Sequence, residues 1–166
     1  MSVSMKFTFT PTTEWLMWRI SVTCFGAVGL ALITQYGFDM HPCPWCCLQR
    51  LFYVMIGLMA LSGALVPSLT ARKTLAGGCV MLAVFGALSA LWQQFGAANS
   101  ESCSQSMADK ILSALGLSDA MPSIFEATAT CADAAVDLLG IPYALWSLAL
   151  FIAVGVACTH VVRLAK

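Results

Sequence analysis

A chain of 166 residues and 17.7 kDa is 60% hydrophobic and 10% charged, with a mean hydropathy of +0.85 and no formal net charge. Soluble domains average about 45–50% apolar and about 25% charged, so too little polar surface remains here to coat a water-soluble globule. The same balance excludes a disordered chain, which would be polar, and a nucleic-acid binder, which would carry a basic footprint.

An all-α integral membrane protein, one unit over residues 1–166, is the class that remains. A membrane-crossing helix takes about 20 apolar residues. Four runs meet that length, at about 15–36, 47–66, 74–95 and 141–162, which predicts a four-helix bundle. Their continuity excludes a β-barrel, whose strands would alternate. The first run is longer than the apolar core of a cleaved signal and no small-x-small site follows it, so it reads as a span.

The first loop, 37–46, ends in Cys43-Pro44-Trp45-Cys46 at the entry to the second span. The sulfurs of a Cys-x-x-Cys meet within one helical turn. Cys46 lies among N–H groups at a helix N-terminus, and Arg50 is four residues on along the same face. Both favour a thiolate at Cys46. An arginine at membrane depth beside such a pair reads as functional rather than as a side chain snorkelling to lipid phosphates. Cys47 faces a different way around the helix and reads as lipid-facing packing. His41, the outward histidine, reads as loop packing rather than proton transfer.

The turn at 67–73 carries Arg72 and Lys73, and the third span leads into the long loop 96–140 with Cys103 and Cys131. Within it, Ser106-Met107-Ala108-Asp109 has the form of a helix start. Met107, Ile111, Leu112 and Leu115 recur at helical spacing, and Gly116 is a stop. This helix is expected either flat on the membrane interface or packed on the other loop. Gly140-Ile141-Pro142 then opens the fourth span, with proline near the first turn.

Charge placement orients the bundle. Lys6, Arg19, Arg72, Lys73, Arg163 and Lys166 stand against Glu14 alone on the side of the termini and the 67–73 turn. Glu101, Asp109, Asp119, Glu126, Asp133 and Asp137 stand against Lys110 in the long loop. Lys and Arg are retained in the cytoplasm, so both termini are expected there and both cysteine-bearing loops outside. Tyr36, Trp45, Trp92, Tyr143 and Trp146 fall near the outer span ends, as an interfacial aromatic belt would.

The eight cysteines divide by depth. Cys24, Cys79 and Cys158 lie within spans and read as small buried apolar residues. Cys43, Cys46, Cys47, Cys103 and Cys131 lie outward, where disulfides persist. A Cys103–Cys131 bridge would contribute about 3.5 kcal/mol through loop closure, although two pairs among four cysteines allow three connectivities. Two redox pairs on one membrane face permit a relay by thiolate attack through mixed disulfides. The loop pair suits a visiting protein. The membrane-edge pair suits a lipid-soluble two-electron acceptor such as a quinone, with Arg50 stabilising the developing anion.

Pro42-Cys43-Pro44-Trp45-Cys46 followed by Arg50 resembles the P-C-x-x-C-x-x-x-R motif of the DsbB family, bacterial inner-membrane disulfide:quinone oxidoreductases. Cys103 and Cys131 match the second pair of that family, and Leu139-Gly140-Ile141-Pro142 with Trp146 is similar to its fourth-span entry. The resemblance implies an order of events. A reduced DsbA-type thioredoxin-fold oxidase of the periplasm attacks Cys103; Cys131, released, attacks Cys43 of a Cys43–Cys46 bridge; Cys46 is left as a thiolate facing the quinone, beside Arg50. The implied acceptor is ubiquinone, with menaquinone as the alternative, and neither metal nor nucleic acid is involved. Oxidised partner would then introduce disulfides into secreted proteins.

Two features depart from the family pattern. Cys47 extends the motif to Cys-x-x-Cys-Cys, and the Pro44-Trp45 interior is bulky and stiff, which bears on the redox potential of the pair. Vitamin K epoxide reductase-like proteins share four helices and two cysteine pairs, but their membrane-edge pair follows the loop pair. A tetraspanin-like scaffold would carry Cys-Cys-Gly, whereas Leu48 follows Cys46-Cys47. A thiolate metal site on Cys43, Cys46 and Cys47 is the third rival.

Overall fold

The computed structural model describes residues 11–96, 107–131, 133, 137, 138 and 140–165. Cys103 lies outside the described residues, as do Lys6, Glu101, Ser106, Leu139 and Lys166.

Four long helices carry the apolar runs: α1 (Pro11–Gly37), α2 (Pro44–Leu65), α3 (Leu69–Phe95) and α7 (Tyr143–Leu164). Each is long and apolar enough to cross a bilayer, and the chain is a multi-pass membrane protein. Three short helices, α4 (Met107–Ala114), α5 (Leu117–Ala120) and α6 (Pro122–Phe125), lie in the long loop. A two-residue antiparallel ladder, β1 (Asp137–Leu138) with β2 (Ile141–Pro142), precedes α7.

The fourth span thus starts two residues later than the sequence predicts. Gly140 takes a left-handed backbone, φ 78°, and folds the chain back so that Ile141 and Pro142 pair with β1. Glycine adopts that conformation without a Cβ clash. Pro142 is therefore the N-cap of α7 rather than part of its first turn.

The spans close in the order α1, α2, α3, α7. Packing is dense along α3–α7, α1–α2 and α2–α3 and sparse between α1 and α7. Interior positions recur at three- and four-residue steps: Met17, Ile20, Cys24 and Val28 on α1, then Tyr53, Ile56, Ala60 and Ala64 on α2. This is the stripe that keeps one helix face toward the bundle. Ala76, Ala83 and Gly86 on α3 let its backbone approach the neighbouring helices closely. At Gly86 the space a methyl would need is filled by the Phe151 ring, which stacks on Tyr53 with centroids 4.1 Å apart. Outward faces carry Val22, Leu30, Ile33, Met81, Leu88 and Ile152, the inversion that a lipid solvent requires.

Cys24, Cys79 and Cys158 are fully buried in this interior, as expected of small apolar side chains. Cys79 points its thiol at the Ile56 carbonyl, 3.8 Å away. Arg72, counted above with the basic turn, is instead almost wholly buried. Its guanidinium donates to the Gly63 and Val66 carbonyls at 2.8 and 2.9 Å and to Thr13 Oγ1 at 2.9 Å. These bonds satisfy carbonyls left over at the C-terminal end of α2 and tie the α2–α3 turn to the start of α1.

The loop helix α4 packs on the start of α2 rather than on the other loop. Ala108 and Leu112 of α4 are buried, with Leu112 sharing a cluster with Cys47 and Phe125. Met107 and Leu115 remain outside it.

Candidate functional site

The second helix begins at Pro44, whose fixed φ and missing N–H suit a first helical position. Cys43 is its N-cap, in an extended conformation, and Cys43 Sγ accepts from the Cys46 N–H at 3.4 Å. The sulfur thus does what a serine or aspartate oxygen does at other helix starts. That cap turns both side chains of the motif to one side. Their sulfurs lie 3.0 Å apart without being bridged.

The long loop returns to the same point. The Thr128 and Ala129 N–H groups both donate to the Pro42 carbonyl, at 3.1 and 3.2 Å. Tyr36 Oη donates to the Ser123 carbonyl at 2.8 Å. This docking delivers Cys131, which is buried against Cys43 with Trp45 and Cys46 around them. The Cys43 thiol is pushed well above the ordinary range for cysteine, first by its hydrogen bond with Cys131, then by that with Cys46 and by burial. That direction favours the protonated thiol at Cys43.

Cys46 has different surroundings. Gln93 Nε2 of α3 donates to its sulfur at 3.1 Å, and Gln49 Nε2 donates to Gln93 Oε1 at 2.6 Å, fixing which way that amide points. Arg50 is 6% exposed and does not reach for solvent. Its Nη1 donates to Gln35 Oε1 at 2.7 Å and to the Ile124 carbonyl at 3.0 Å. A buried guanidinium satisfied in this way holds a fixed place one turn from Cys46, tying α1, α2 and the long loop together.

Cys47 corrects an expectation. It does face away from the Cys43–Cys46 side, but that face of α2 is covered by the loop helices rather than by lipid. The side chain is fully buried against Leu112 and Phe125, with its thiol 3.6 Å from the Glu126 carbonyl.

Where α1 and α7 pack sparsely, a cavity of about 310 Å³ opens between α1, α2 and α7. Val28 and Ala31 form one wall and Trp146 and Leu150 another, while Cys46 and Arg50 face it from α2. The first loop roofs it with Met40, His41 and Pro42. Outside that roof lies an open cleft of about 450 Å³, with Asp39, Glu126, Gln35 and Thr128 on its walls.

The structure therefore brings Cys43, Cys46, Cys131 and Arg50 into one site; Cys103, the remaining candidate from the sequence, lies outside the described residues. No group of His, Cys, Asp and Glu side chains fit to hold a metal occurs among the described residues. Reading the sequence alone missed Gln93, Gln49 and Gln35. The available signal was an uncharged amide inside or beside an apolar span, which needs a partner there.

A family model described as "Disulfide bond formation protein DsbB" matches residues 13–161. The Disulfide bond formation protein B of Nitrosospira multiformis is 34% identical over 139 residues, covering 82% of this chain and 83% of that protein. Those of Aromatoleum aromaticum and Dechloromonas aromatica are 31% and 30% identical, over 84% and 85% of this chain and 86% of each relative. No solved structure gives a significant match.

Proposed function

The chain belongs to the DsbB family of disulfide bond formation proteins and is thus an oxidoreductase; from that premise we propose that it reoxidises a periplasmic DsbA-type thioredoxin-fold oxidase and passes the electrons to a membrane quinone. The observation that carries the reading is the unbroken line of sulfurs, in which Cys43 touches Cys131 on one side and Cys46 on the other. Cys46 in turn faces the apolar cavity.

The bundle sits in the bacterial inner membrane with both termini cytoplasmic, as the basic and acidic residues partition. The reduced partner attacks Cys103 and forms a mixed disulfide, freeing Cys131. Cys131 attacks Cys43 of the bridged Cys43–Cys46 pair, the sulfur it already touches, and Cys46 leaves as a thiolate. Gln93 and Arg50 stabilise that charge at the cavity wall. The second thiol of the partner then attacks its own mixed disulfide and leaves oxidised, freeing Cys103, and Cys103 attacks Cys131 of the Cys131–Cys43 disulfide, which leaves Cys103–Cys131 bridged and Cys43 and Cys46 both reduced.

The cavity fits a quinone head group. Its volume is at the lower end of about 300–1,000 Å³ for small-molecule sites, its walls are apolar and aromatic, and a guanidinium faces it. Cys46 and Arg50 would hold the ring. A quinone bound there supplies the acceptor for two electrons and two protons; ubiquinone is the expected one, menaquinone the alternative. The decisive experiment mixes purified protein, a soluble ubiquinone analogue and a reduced thioredoxin-fold oxidase, and follows quinone absorbance. Catalytic loss of the quinone band is expected; a flat trace with folded protein overturns the reading.

A further inference from the structure

His41 is shared by the two spaces on either side of the first loop: it lines the apolar cavity that Cys46 and Arg50 face, and it lines the outer cleft. Among the described residues no other lines both. On the cleft side its Nε2 is 3.8 Å from Asp39 Oδ1, and its Nδ1 is 3.4 Å from Thr128 Oγ1. Glu126 and Tyr36 complete the titratable groups there. On the cavity side it shares the lining with Cys46, Arg50, Tyr53 and Tyr143.

We propose that His41 conducts protons between the aqueous cleft and the apolar cavity, and so supplies the proton that quinone reduction needs and the dithiol does not hold. The inference rests on the quinone reading above. With Cys46 as thiolate and Cys43 as thiol, forming their S–S bond yields two electrons but one proton. Converting a quinone to its hydroquinone takes two electrons and two protons. The balance is Cys46-S⁻, Cys43-SH, quinone and one H⁺ giving the disulfide and hydroquinone. That further proton comes from water.

The cavity offers few carriers. A guanidinium does not release its proton near neutrality, and phenols titrate near pH 10. An imidazole gains and releases a proton at either nitrogen; both nitrogens face cleft residues here, so delivery to the cavity takes a turn of the ring. Asp39 and Glu126 at the outer mouth attract the proton that recharges it.

The test uses the full chain in detergent or lipid. His41→Gln keeps a hydrogen-bonding side chain that does not titrate. It is expected to slow quinone reduction about a hundredfold, the low end for general acid–base transfer, and to change the shape of the pH–rate profile. Added imidazole is expected to restore His41→Ala. A readout apart from turnover is available because the chain has two histidines, His41 and His160. Histidine NMR with a redox-inert quinone analogue should shift the His41 signal and leave His160, near the C-terminal end of α7, in place. Wild-type rates and pH profile in His41→Gln, with no imidazole effect on His41→Ala, overturn the proton role while the quinone function stands. Absence of quinone reduction by the wild type overturns both.

Discussion

Gln93 of α3 donates from Nε2 to the sulfur of Cys46 at 3.1 Å, across the interface between α3 and α2. The amide is held in that orientation by Gln49, so a neutral side chain buried in the bundle is committed to one reactive sulfur. A hydrogen bond to a charged group contributes about 1.5–3 kcal/mol, or about ten- to a hundredfold in a rate that depends on the thiolate. Gln93→Leu should therefore lower the quinone-reduction rate by about tenfold or more. Trapping of the partner on Cys103 should be unchanged, and gel analysis of the mixed disulfide beside the quinone assay checks the separation.

In the proposed relay, the contact between Cys131 and Cys43 orders the exchange steps. Cys43→Ala or Cys46→Ala should abolish quinone reduction yet leave Cys103 able to form the mixed disulfide with the partner. Cys131→Ala leaves Cys103 a free thiol, which should form the adduct with oxidised partner and not with reduced partner. Sustained turnover in any of the three would remove the relay. Non-reducing electrophoresis with alkylation of free thiols resolves each species.

Arg50 joins the cavity to the long loop through Gln35 and Ile124. Arg50→Ala is expected to raise the apparent KM for the quinone analogue about tenfold, the loss of one charge-assisted contact. Arg50→Lys should recover part of it, since an ammonium keeps the charge but loses the planar fork. An unchanged KM would leave Arg50 with a structural role alone.

Cys47 is sealed beneath Leu112 and Phe125 and is out of line with the sulfur relay. Cys47→Ala should preserve quinone turnover and lower stability by about 1 kcal/mol, the order of a small core deletion. Loss of turnover in a folded Cys47→Ala protein would bring this thiol into the exchange.

Arg72 is a latch remote from the chemistry. Arg72→Met keeps the aliphatic stem but leaves two carbonyls and the Thr13 hydroxyl without this donor, at a cost of about 2–4 kcal/mol. Thermal unfolding in detergent should show a lower midpoint, while the KM for quinone in the folded fraction stays at the wild-type value.

The span count and the Cys43–Cys46 pair were legible in one dimension. Apolar run length is a local property that a bilayer reads directly, although the second helix starts at Pro44, three residues before the apolar run expected at 47–66. Arg50 was legible for the same reason, since helical spacing alone puts it one turn past Cys46. The ladder at 137–142 was not, because nothing in Ile141-Pro142 distinguishes a strand pair from a first helical turn until the glycine turn has folded the chain back.

What remained for the tertiary structure was which side chains meet. Cys131 reaches Cys43 because two N–H groups of the returning loop bond the Pro42 carbonyl, and Gln93 reaches Cys46 because of how α3 is rotated against α2. Whether Cys47 meets lipid or protein, and whether His41 merely packs or also joins two spaces, depends on the same loop path. Rotation and loop path are decided by contacts between residues far apart in the chain, and hydropathy along a single span carries no record of them.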